Sequence, residues 1–252
     1  MSVMRFADHF SEKSHQYARA RPRYPEAVYA FVAAQAPATE RAWDCASGNG
    51  QAAEGLARHF RQVEATDASG EQIRNAAPIE RVRFSVQAAE ETDFAVSSFD
   101  AICVAQALHW LDLDRFYAEA RRVLKRGGVI AAWGYDRMRT SDLFQARFDE
   151  EILPRLKPYW PAQNRLLWSG YEGIPFPFER IAAPAFEMRV QWTLQQLRAY
   201  VETWSGTRGC LAALGADALD AAWSALQVAW GGAREREFVM PMHFLCGRHG
   251  SR

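Results

Sequence analysis

The sequence predicts an α/β fold in which a doubly wound, mostly parallel sheet carries helices on both faces. From residue 41 to 136, short apolar runs alternate with amphipathic stretches of helical period, and seven strand-like runs occur along the chain. Such alternation is typical of βαβ units, whose crossover helices cover both faces of a parallel sheet. Five of the eleven prolines lie between Pro154 and Pro177, which predicts a large insertion before the last strand.

The composition favours one globular domain that binds a small molecule. The chain has 252 residues, 49% of them hydrophobic, and its 30 basic residues balance 30 acidic ones. This length fits one large α/β domain or two small ones, and we find no linker or repeat, which favours a single domain over 1–252. Zero net charge argues against nucleic acid and anionic membranes as partners, because both are bound through many basic residues.

The first predicted elements follow one another closely. Apolar runs predict strands at 41–46, 63–66, 82–86 and 101–105, and helical periodicity predicts a helix over 51–60 and another that begins near Ser69. The run at 101–105 is almost wholly apolar, as expected for a strand that is buried on both faces of the sheet.

A helix and a strand complete this part of the chain. Asp112 is a good N-cap residue, and apolar side chains then recur at helical spacing at Phe116, Ala120, Val123 and Leu124. Basic residues follow at 121–126, where a helix C-terminus favours cations, and Gly127 with Gly128 predicts the end of the helix. The residues at 129–133 predict another buried strand.

The last third of the sequence predicts fewer regular elements. We expect a helix over 142–153, an irregular segment up to Pro177, strands at 186–192 and 237–246, and helices over 194–204 and 217–230. Five tryptophans are expected in the core of this region: Trp160, Trp168, Trp192, Trp223 and Trp230.

Four cysteines occur without a CxxC pair, and no histidine lies at a metal-ligand spacing. This pattern predicts reduced thiols and no metal site. The polar first residues do not resemble a secretory signal, and the longest apolar stretch, 101–108, is too short to span a membrane. We therefore expect a cytoplasmic monomer or homodimer.

The chemistry is predicted at the turn after the first strand, which reads DCASGNG at 44–50. Small residues allow backbone N–H groups to approach a ligand closely. Asp67 ends the second strand, where a carboxylate can accept both hydroxyl groups of a ribose. The combination predicts a cofactor that contains a nucleoside, although an ordinary turn with a surface aspartate is the alternative.

Two classes of nucleoside cofactor fit this turn to different degrees. Gly48, Gly50 and Ala53 formally match the dinucleotide fingerprint, which makes a nicotinamide-dependent oxidoreductase the alternative. Asp44, however, stands where it would repel a pyrophosphate and attract a cation such as an α-ammonium group. S-adenosylmethionine carries both an α-ammonium group and a ribose, so we prefer it to a dinucleotide.

These residues resemble the Rossmann-like S-adenosylmethionine-dependent methyltransferases. The resemblance covers 41–133 and continues as VEATDAS at 63–69, AQALHWLD at 105–112 and RVLKRGGVIAAW at 122–133. It implies a seven-stranded sheet with an antiparallel last strand and a helical insertion or lid. The segments at 6–25 and 203–205 are similar to the narrower group of methyltransferase type 11-like, trans-aconitate-type small-molecule enzymes.

The resemblance also implies roles for the parts of the chain. It implies an N-terminal helical cap over 1–40, a cofactor-binding core over 41–136, and a substrate lid with the insertion and last strands over 137–252. S-adenosylhomocysteine would be the product and no metal would take part. The implied cofactor-binding residues are Tyr17, Arg21, Asp44, Ala46, Gly48, Asn49, Gly50, Asp67, Ala68, Ala89, Glu90 and Gln106. Ala46 replaces the family's first glycine, and a positive φ there would be strained.

The acceptor is expected to be a small molecule that carries a carboxylate, a hydroxyl or a similar group. A hydroxyl would need a base, and His109 is the histidine nearest the motif, although a purely structural role is the alternative. The expected substrate-contacting residues are Tyr24, Trp133, Tyr135, Trp204 and Arg208. A protein that binds the cofactor without transferring its methyl group is a further alternative.

Overall fold

The computed structural model describes residues 21–250. Tyr17 therefore lies outside the described residues, and the predicted N-terminal cap is represented from residue 21 onward. Within the described part, residues 21–25 lead into the first helix, α1, at Glu26–Gln35.

The described strands form one mixed sheet. They are β1 (Arg41–Cys45), β2 (Gln62–Asp67), β3 (Val82–Val86), β4 (Phe99–Ala105), β5 (Leu124–Tyr135), β6 (Glu179–Arg180), β7 (Glu187–Trp192) and β8 (Arg236–Arg248). The main order is β3-β2-β1-β4-β5-β8-β6, and β7 pairs with the first half of β8. The first five strands pair in parallel, whereas β8 runs antiparallel to β5. The predicted fold class is confirmed.

Helices connect these strands and form most of the insertion. In chain order they are α2 (Gln51–Leu56), α3 (Gly70–Arg74), α4 (Leu113–Val123), α5 (Asp142–Glu151), α6 (Leu153–Leu156), α7 (Asn164–Trp168), α8 (Leu194–Glu202), α9 (Ser205–Leu214) and α10 (Asp220–Trp230). Several begin with a cap that the sequence supplies, such as the Thr193 capping box of α8 and the Asp112 N-cap of α4.

Buried side chains cover both faces of the sheet, as doubly wound topology requires. Because successive strand residues point to opposite faces, Ala42 packs in one apolar cluster and Trp43 in the other. The same alternation separates Ala101 from Ile102 on β4. All four side chains are completely buried. No described helix meets the length and hydrophobicity needed to cross a bilayer.

Three predicted boundaries were wrong. α4 ends at Val123 rather than near Gly127, because Leu124 is already extended (ψ 137°) and pairs with Phe99 as the first residue of β5. α2 ends at Leu56 and is followed by a turn rather than continuing to residue 60. The segment after Pro154 is not wholly irregular, since it contains α6, α7 and a 3-10 turn at Lys157–Tyr159.

Candidate active site

The turn between β1 and α2 has the backbone conformation that its small residues predict. Ala46, Gly48 and Gly50 all adopt positive φ angles, of 54°, 56° and 91°. The angle at Ala46 confirms the expected strain, since a non-glycine residue in this region costs roughly 1–2 kcal/mol. At Gly50 a Cβ atom would lie only 2.5 Å from the ring of Phe84, so glycine is required by space as well as by conformation.

Asp67 holds this turn in place. Its carboxylate is mostly buried, and its Oδ2 accepts a hydrogen bond from the Gly48 N–H at 2.8 Å. Its Oδ1 accepts one from the Ser69 N–H, also at 2.8 Å. The end of β2 is thereby tied both to the glycine-rich turn and to the start of α3. Carboxylate oxygens each accept more than one hydrogen bond, so Asp67 retains capacity for a ligand hydroxyl.

Asp44 is the most unusual group at this edge of the sheet. It is 0% exposed, and neither carboxylate oxygen has a hydrogen-bond partner among residues 21–250 that meets ordinary geometry. Burial raises the pKa of Asp44 to about 8. The backbone N–H of Ala53 lowers this pKa in part, and the negative charge of Asp67 raises it further. A buried acid without a strong partner is suited to receiving a cation.

A second buried aspartate shows how different Asp44 is. Asp100, at the start of β4, is also 0% exposed. Its oxygens accept hydrogen bonds from the backbone N–H groups of Glu40 and Arg41, at 3.1 and 2.9 Å, and from Lys125 Nζ at 2.7 Å. Asp100 is therefore satisfied within the protein, whereas Asp44 is not.

The remaining predicted cofactor residues lie around the same edge. Ala89 is buried, Ala68 is exposed and Asn49 is half-buried. Glu90 accepts a hydrogen bond from the Asp112 N–H at 3.0 Å, which ties its loop to the start of α4. Gln106 follows β4 with a φ of 56°, and its buried Oε1 has no partner within residues 21–250.

A cavity of about 90 Å³ lies between the carboxyl ends of β4 and β5 and the helical insertion. Gln106 and His109 contribute from the β4 side, and Tyr135 contributes from the end of β5. Arg21 also lines the cavity and donates a hydrogen bond to the Tyr135 hydroxyl at 3.0 Å. Because β1 pairs with β4, with Cys45 opposite Val104, the glycine-rich turn and this cavity are on neighbouring strand ends.

His109 is uncharged at neutral pH. It is 6% exposed, and burial lowers its pKa to about 4, with the nearby positive charge of Arg21 adding to the effect. Its Nδ1 has no hydrogen-bond partner in the described part of the chain. No hydrogen bond at this nitrogen therefore supports the alternative of a purely structural role.

The insertion side of the cavity is aromatic. Trp160 packs edge-to-face on Trp168, with ring centroids 5.2 Å apart, and lies 5.7 Å from the ring of Trp204. All three line the cavity, so placing Trp160 and Trp168 in the core was wrong. The sequence signal that was missed is the pair Gly206 and Gly209 on α9. A Cβ at Gly206 would lie 2.7 Å from the Trp160 ring, so glycine leaves the space that Trp160 occupies beside this helix.

Three predicted substrate residues do not line this cavity. Trp133 is 0% exposed and stacks on Phe244. It lies on the same face of β5 as Tyr135 but two residues earlier, so it is further from the end of the strand. Tyr24 is buried against Trp133 and Tyr135, behind the cavity wall. Arg208 on α9 is also not among the lining residues, whereas Asn164 and Arg137, which were not predicted, are.

No cluster of three or more histidine, cysteine, aspartate or glutamate side chains suited to a metal occurs among residues 21–250. The four cysteines are free and buried, and burial raises the pKa of Cys45 and Cys103 well above the usual thiol value. These thiols are therefore not positioned to act as nucleophiles.

Comparison with known proteins agrees with this geometry. The family described as "Methyltransferase domain" matches residues 43–132, which contain the glycine-rich turn, Asp67 and His109. A candidate methyltransferase of Dictyostelium discoideum is 29% identical over 209 residues, which are 80% of this chain and 78% of that protein. The YcgJ protein of Bacillus subtilis, 19% identical and with a TM-score of 0.52, shares the fold over 90% of this chain and 100% of its own.

A solved structure from Anaeromyxobacter dehalogenans, described as a candidate type II methyltransferase, is much more similar. It is 38% identical, has a TM-score of 0.85, and the match covers 92% of this chain and 99% of that one. Membership of a methyltransferase family excludes the oxidoreductase alternative. The resemblance to the narrower trans-aconitate-type group stays a prediction. This chain belongs to the S-adenosylmethionine-dependent methyltransferase family.

Proposed function

We propose that this methyltransferase transfers the methyl group to a small-molecule acceptor that binds in the cavity between the sheet edge and the insertion. The observation that carries the proposal is the position of this small, aromatic-walled cavity, one strand away from the turn that contains Asp44 and Gly48. A cavity of about 90 Å³ matches the size of a small molecule. The balanced charge of the chain also disfavours nucleic acid as substrate.

The residues at the turn fit S-adenosylmethionine. The unpartnered carboxylate of Asp44 is suited to the α-ammonium group, and Asp67 has acceptor capacity for the ribose hydroxyls. The positive-φ positions Ala46, Gly48 and Gly50 keep the intervening backbone, including Asn49, free of bulky side chains close to the ligand. Asp44 and Asp67 thus offer partners for the ammonium group and the ribose of such a ligand.

The remaining roles follow from position. Ala68, Ala89 and Glu90 lie beyond Asp67 along the edge of the sheet and would border the adenine. Gln106 follows β4 at the boundary between the turn and the cavity and would face the sulfonium. Arg21 would pair with the ligand carboxylate while it keeps its hydrogen bond to Tyr135.

S-adenosylmethionine supplies an electrophilic methyl group on a sulfonium. The protein's own contribution is to align the acceptor for in-line displacement and to exclude water. The aromatic wall of Trp160, Trp168 and Trp204 serves the second purpose, and Gln106 with His109 serves the first. An acceptor that is already an anion would need no base, whereas a hydroxyl would pass its proton to neutral His109.

A methyl-transfer assay with S-adenosylmethionine labelled on the methyl group tests this proposal. The enzyme is incubated separately with a filtrate of small metabolites and with the retained macromolecules of the same extract. We expect label in the small-molecule fraction and, at S-adenosylmethionine concentrations below saturation, about 10- to 100-fold less transfer by Asp44→Asn. Label confined to proteins or nucleic acids would overturn the small-molecule assignment, and binding of NADH without S-adenosylhomocysteine would contradict the family chemistry itself.

A further inference from the structure

We infer that the acceptor is a hydroxyarene, a molecule with a phenolic hydroxyl on a flat ring and a second hydrogen-bond donor at its far end. This inference rests on the proposed function, since it assigns the occupant of the same cavity. It depends on three features of the lining: its aromatic surfaces, its unpartnered acceptor atoms and the sign of its charges.

The shape of the lining suits a flat ring. Six aromatic side chains surround the cavity: Trp110, Tyr135, Trp160, Trp168, Tyr200 and Trp204. Trp160 and Trp168 are nearly perpendicular, at 83°, so their indoles present a face and an edge at one corner of the insertion side. Aromatic rings prefer offset-stacked and edge-to-face contacts, and such a corner offers both to a planar ligand.

Three unpartnered acceptor atoms on lining residues favour hydrogen-bond donors on the ligand. Gln106 Oε1, His109 Nδ1 and Asn164 Oδ1 are all buried, and none has a hydrogen-bond partner among residues 21–250. Asn164 is 7% exposed and His109 is 6% exposed. The two oxygens only accept hydrogen bonds, and a neutral imidazole nitrogen accepts one when its proton is on the other nitrogen. A carboxylate offers only further acceptors to these atoms.

The arrangement of these atoms gives the ligand a direction. Gln106 and His109 follow β4, on the side of the cavity nearest the glycine-rich turn, whereas Asn164 begins α7 in the insertion. A hydroxyl that receives a methyl group must lie on the Gln106 side. The ring then extends between the tryptophans, and its far end reaches Asn164 with an N–H or O–H donor.

The charges favour a hydroxyl that becomes anionic only as it reacts. The charged side chains of the lining are Arg21, Arg137 and Asp136, so both signs are present. Arg21 is close enough to His109 to lower its pKa, and the same positive charge stabilises a developing phenolate. The phenolic oxygen bonds to the methyl carbon while the carbon–sulfur bond breaks with its electron pair on sulfur. The phenolic proton passes to His109 Nδ1 and then to water.

Three matched probes test the inference by calorimetric binding in the presence of S-adenosylhomocysteine. 4-Hydroxybenzamide has both donors, benzamide lacks the hydroxyl, and 4-carboxybenzamide replaces it with a carboxylate. We expect 4-hydroxybenzamide to bind about tenfold more tightly than either, because each of the others leaves buried acceptors unsatisfied. With labelled S-adenosylmethionine, it should yield the methyl ether.

Variants separate the two ends of the ligand. Asn164→Leu should weaken 4-hydroxybenzamide about tenfold but leave 4-hydroxyacetophenone, which has no N–H, unchanged. His109→Gln should lower kcat for the methyl ether about 100-fold with little change in probe binding. His249→Gln, outside the lining, is the matched control. Unchanged S-adenosylhomocysteine affinity shows that each variant is folded.

Two results would overturn the inference. One is tighter binding of 4-carboxybenzamide, with a methyl ester as product. The other is failure of all three probes to bind while S-adenosylhomocysteine still does, which leaves the proposed small-molecule function intact. Loss of S-adenosylhomocysteine binding in the unmodified enzyme would instead count against the proposed function.

Discussion

Asp67 Oδ2 accepts a hydrogen bond from the backbone N–H of Gly48 at 2.8 Å, which joins the end of β2 to the turn that follows β1. The other oxygen of the same carboxylate accepts from the Ser69 N–H. One side chain therefore shapes the turn and also offers acceptor capacity at the edge of the sheet. The structural role of Asp67 and its proposed role in ligand binding can be separated experimentally, because the first affects folding and the second affects affinity.

Replacing Asp67 with alanine should weaken S-adenosylhomocysteine binding by roughly 1.5–3 kcal/mol, since hydrogen bonds to a charged group are lost. It should also lower the free energy of unfolding by about 1–3 kcal/mol, because the N–H groups of Gly48 and Ser69 lose their partner. Calorimetry and chemical denaturation measure the two effects. Asp114→Ala, on the exposed side of α4, is the control. Unchanged affinity in Asp67→Ala would remove Asp67 from the cofactor site.

The two buried aspartates should respond in opposite ways to replacement by asparagine. Asp100→Asn should lower the free energy of unfolding by about 2–3 kcal/mol, because it loses charge-assisted hydrogen bonds, and should leave cofactor affinity unchanged. Asp44→Asn should not lower the free energy of unfolding at neutral pH, since Asp44 has few internal partners to lose and its raised pKa costs the fold stability there. It should weaken S-adenosylhomocysteine about 10- to 100-fold. The reverse pattern would show that Asp44 is structural.

Cofactor affinity should rise with pH because of Asp44. Burial raises its pKa to about 8 in the ligand-free protein, so below pH 8 the group must lose a proton before it can pair with an ammonium. The affinity for S-adenosylhomocysteine should therefore increase by up to about tenfold per pH unit between pH 6 and 8. Titration calorimetry in buffers of different ionisation enthalpy measures the proton released. A profile in Asp44→Asn as steep as that of the unmodified enzyme would refute this origin.

The raised pKa of Asp44 also makes the stability of the ligand-free protein depend on pH. Stability should fall as the pH rises, whereas cofactor affinity should increase. The folded protein holds the Asp44 proton more tightly than the unfolded chain, whose carboxyl group has an ordinary pKa near 4. This contribution to stability is complete at pH values below about 4, and it is lost as the pH rises through about 8. Ligand-free Asp44→Asn should accordingly lose less stability than the unmodified protein between pH 5 and 8.

Gly50 should tolerate alanine far less well than Gly127, although both have positive φ angles, of 91° and 76°. A Cβ at Gly50 meets the Phe84 ring at 2.5 Å, whereas one at Gly127 meets nothing within 4 Å. Gly127→Ala isolates the conformational cost, about 1 kcal/mol, and Gly50→Ala adds the displacement of Phe84, for a total of about 2–4 kcal/mol. Denaturation midpoints measure both. Equal losses would show that Phe84 moves aside freely.

The sequence predicted the fold class and the turn well because both depend on local patterns. The small residues of the turn stand together at 46–50, and Asp67 comes at the end of the next predicted strand. The end of α4 was misplaced because Leu124 is apolar in either structure, and only its pairing with Phe99 shows that it belongs to the strand. Local periodicity contains no information about that pairing.

The cavity beside the sheet edge was harder to predict because its walls come from distant segments. His109, Tyr135 and Trp204 were predicted as site residues and do line it. Trp160 and Trp168 were not, because their position depends on contacts such as the packing of Trp160 against Gly206, many residues away. Trp133 illustrates the opposite case, a tryptophan near the edge of the sheet that is buried because Phe244 stacks on it.

The central claim is that the turn at 44–50 and Asp67 hold the methyl donor beside an acceptor cavity lined by Gln106 and His109. A crystal structure of the protein with S-adenosylhomocysteine tests it most directly. We predict the ligand's ammonium group within hydrogen-bond distance of Asp44, its ribose hydroxyls on Asp67, and its sulfur facing Gln106. A ligand bound elsewhere, or one that leaves Asp44 without a partner, would contradict the account.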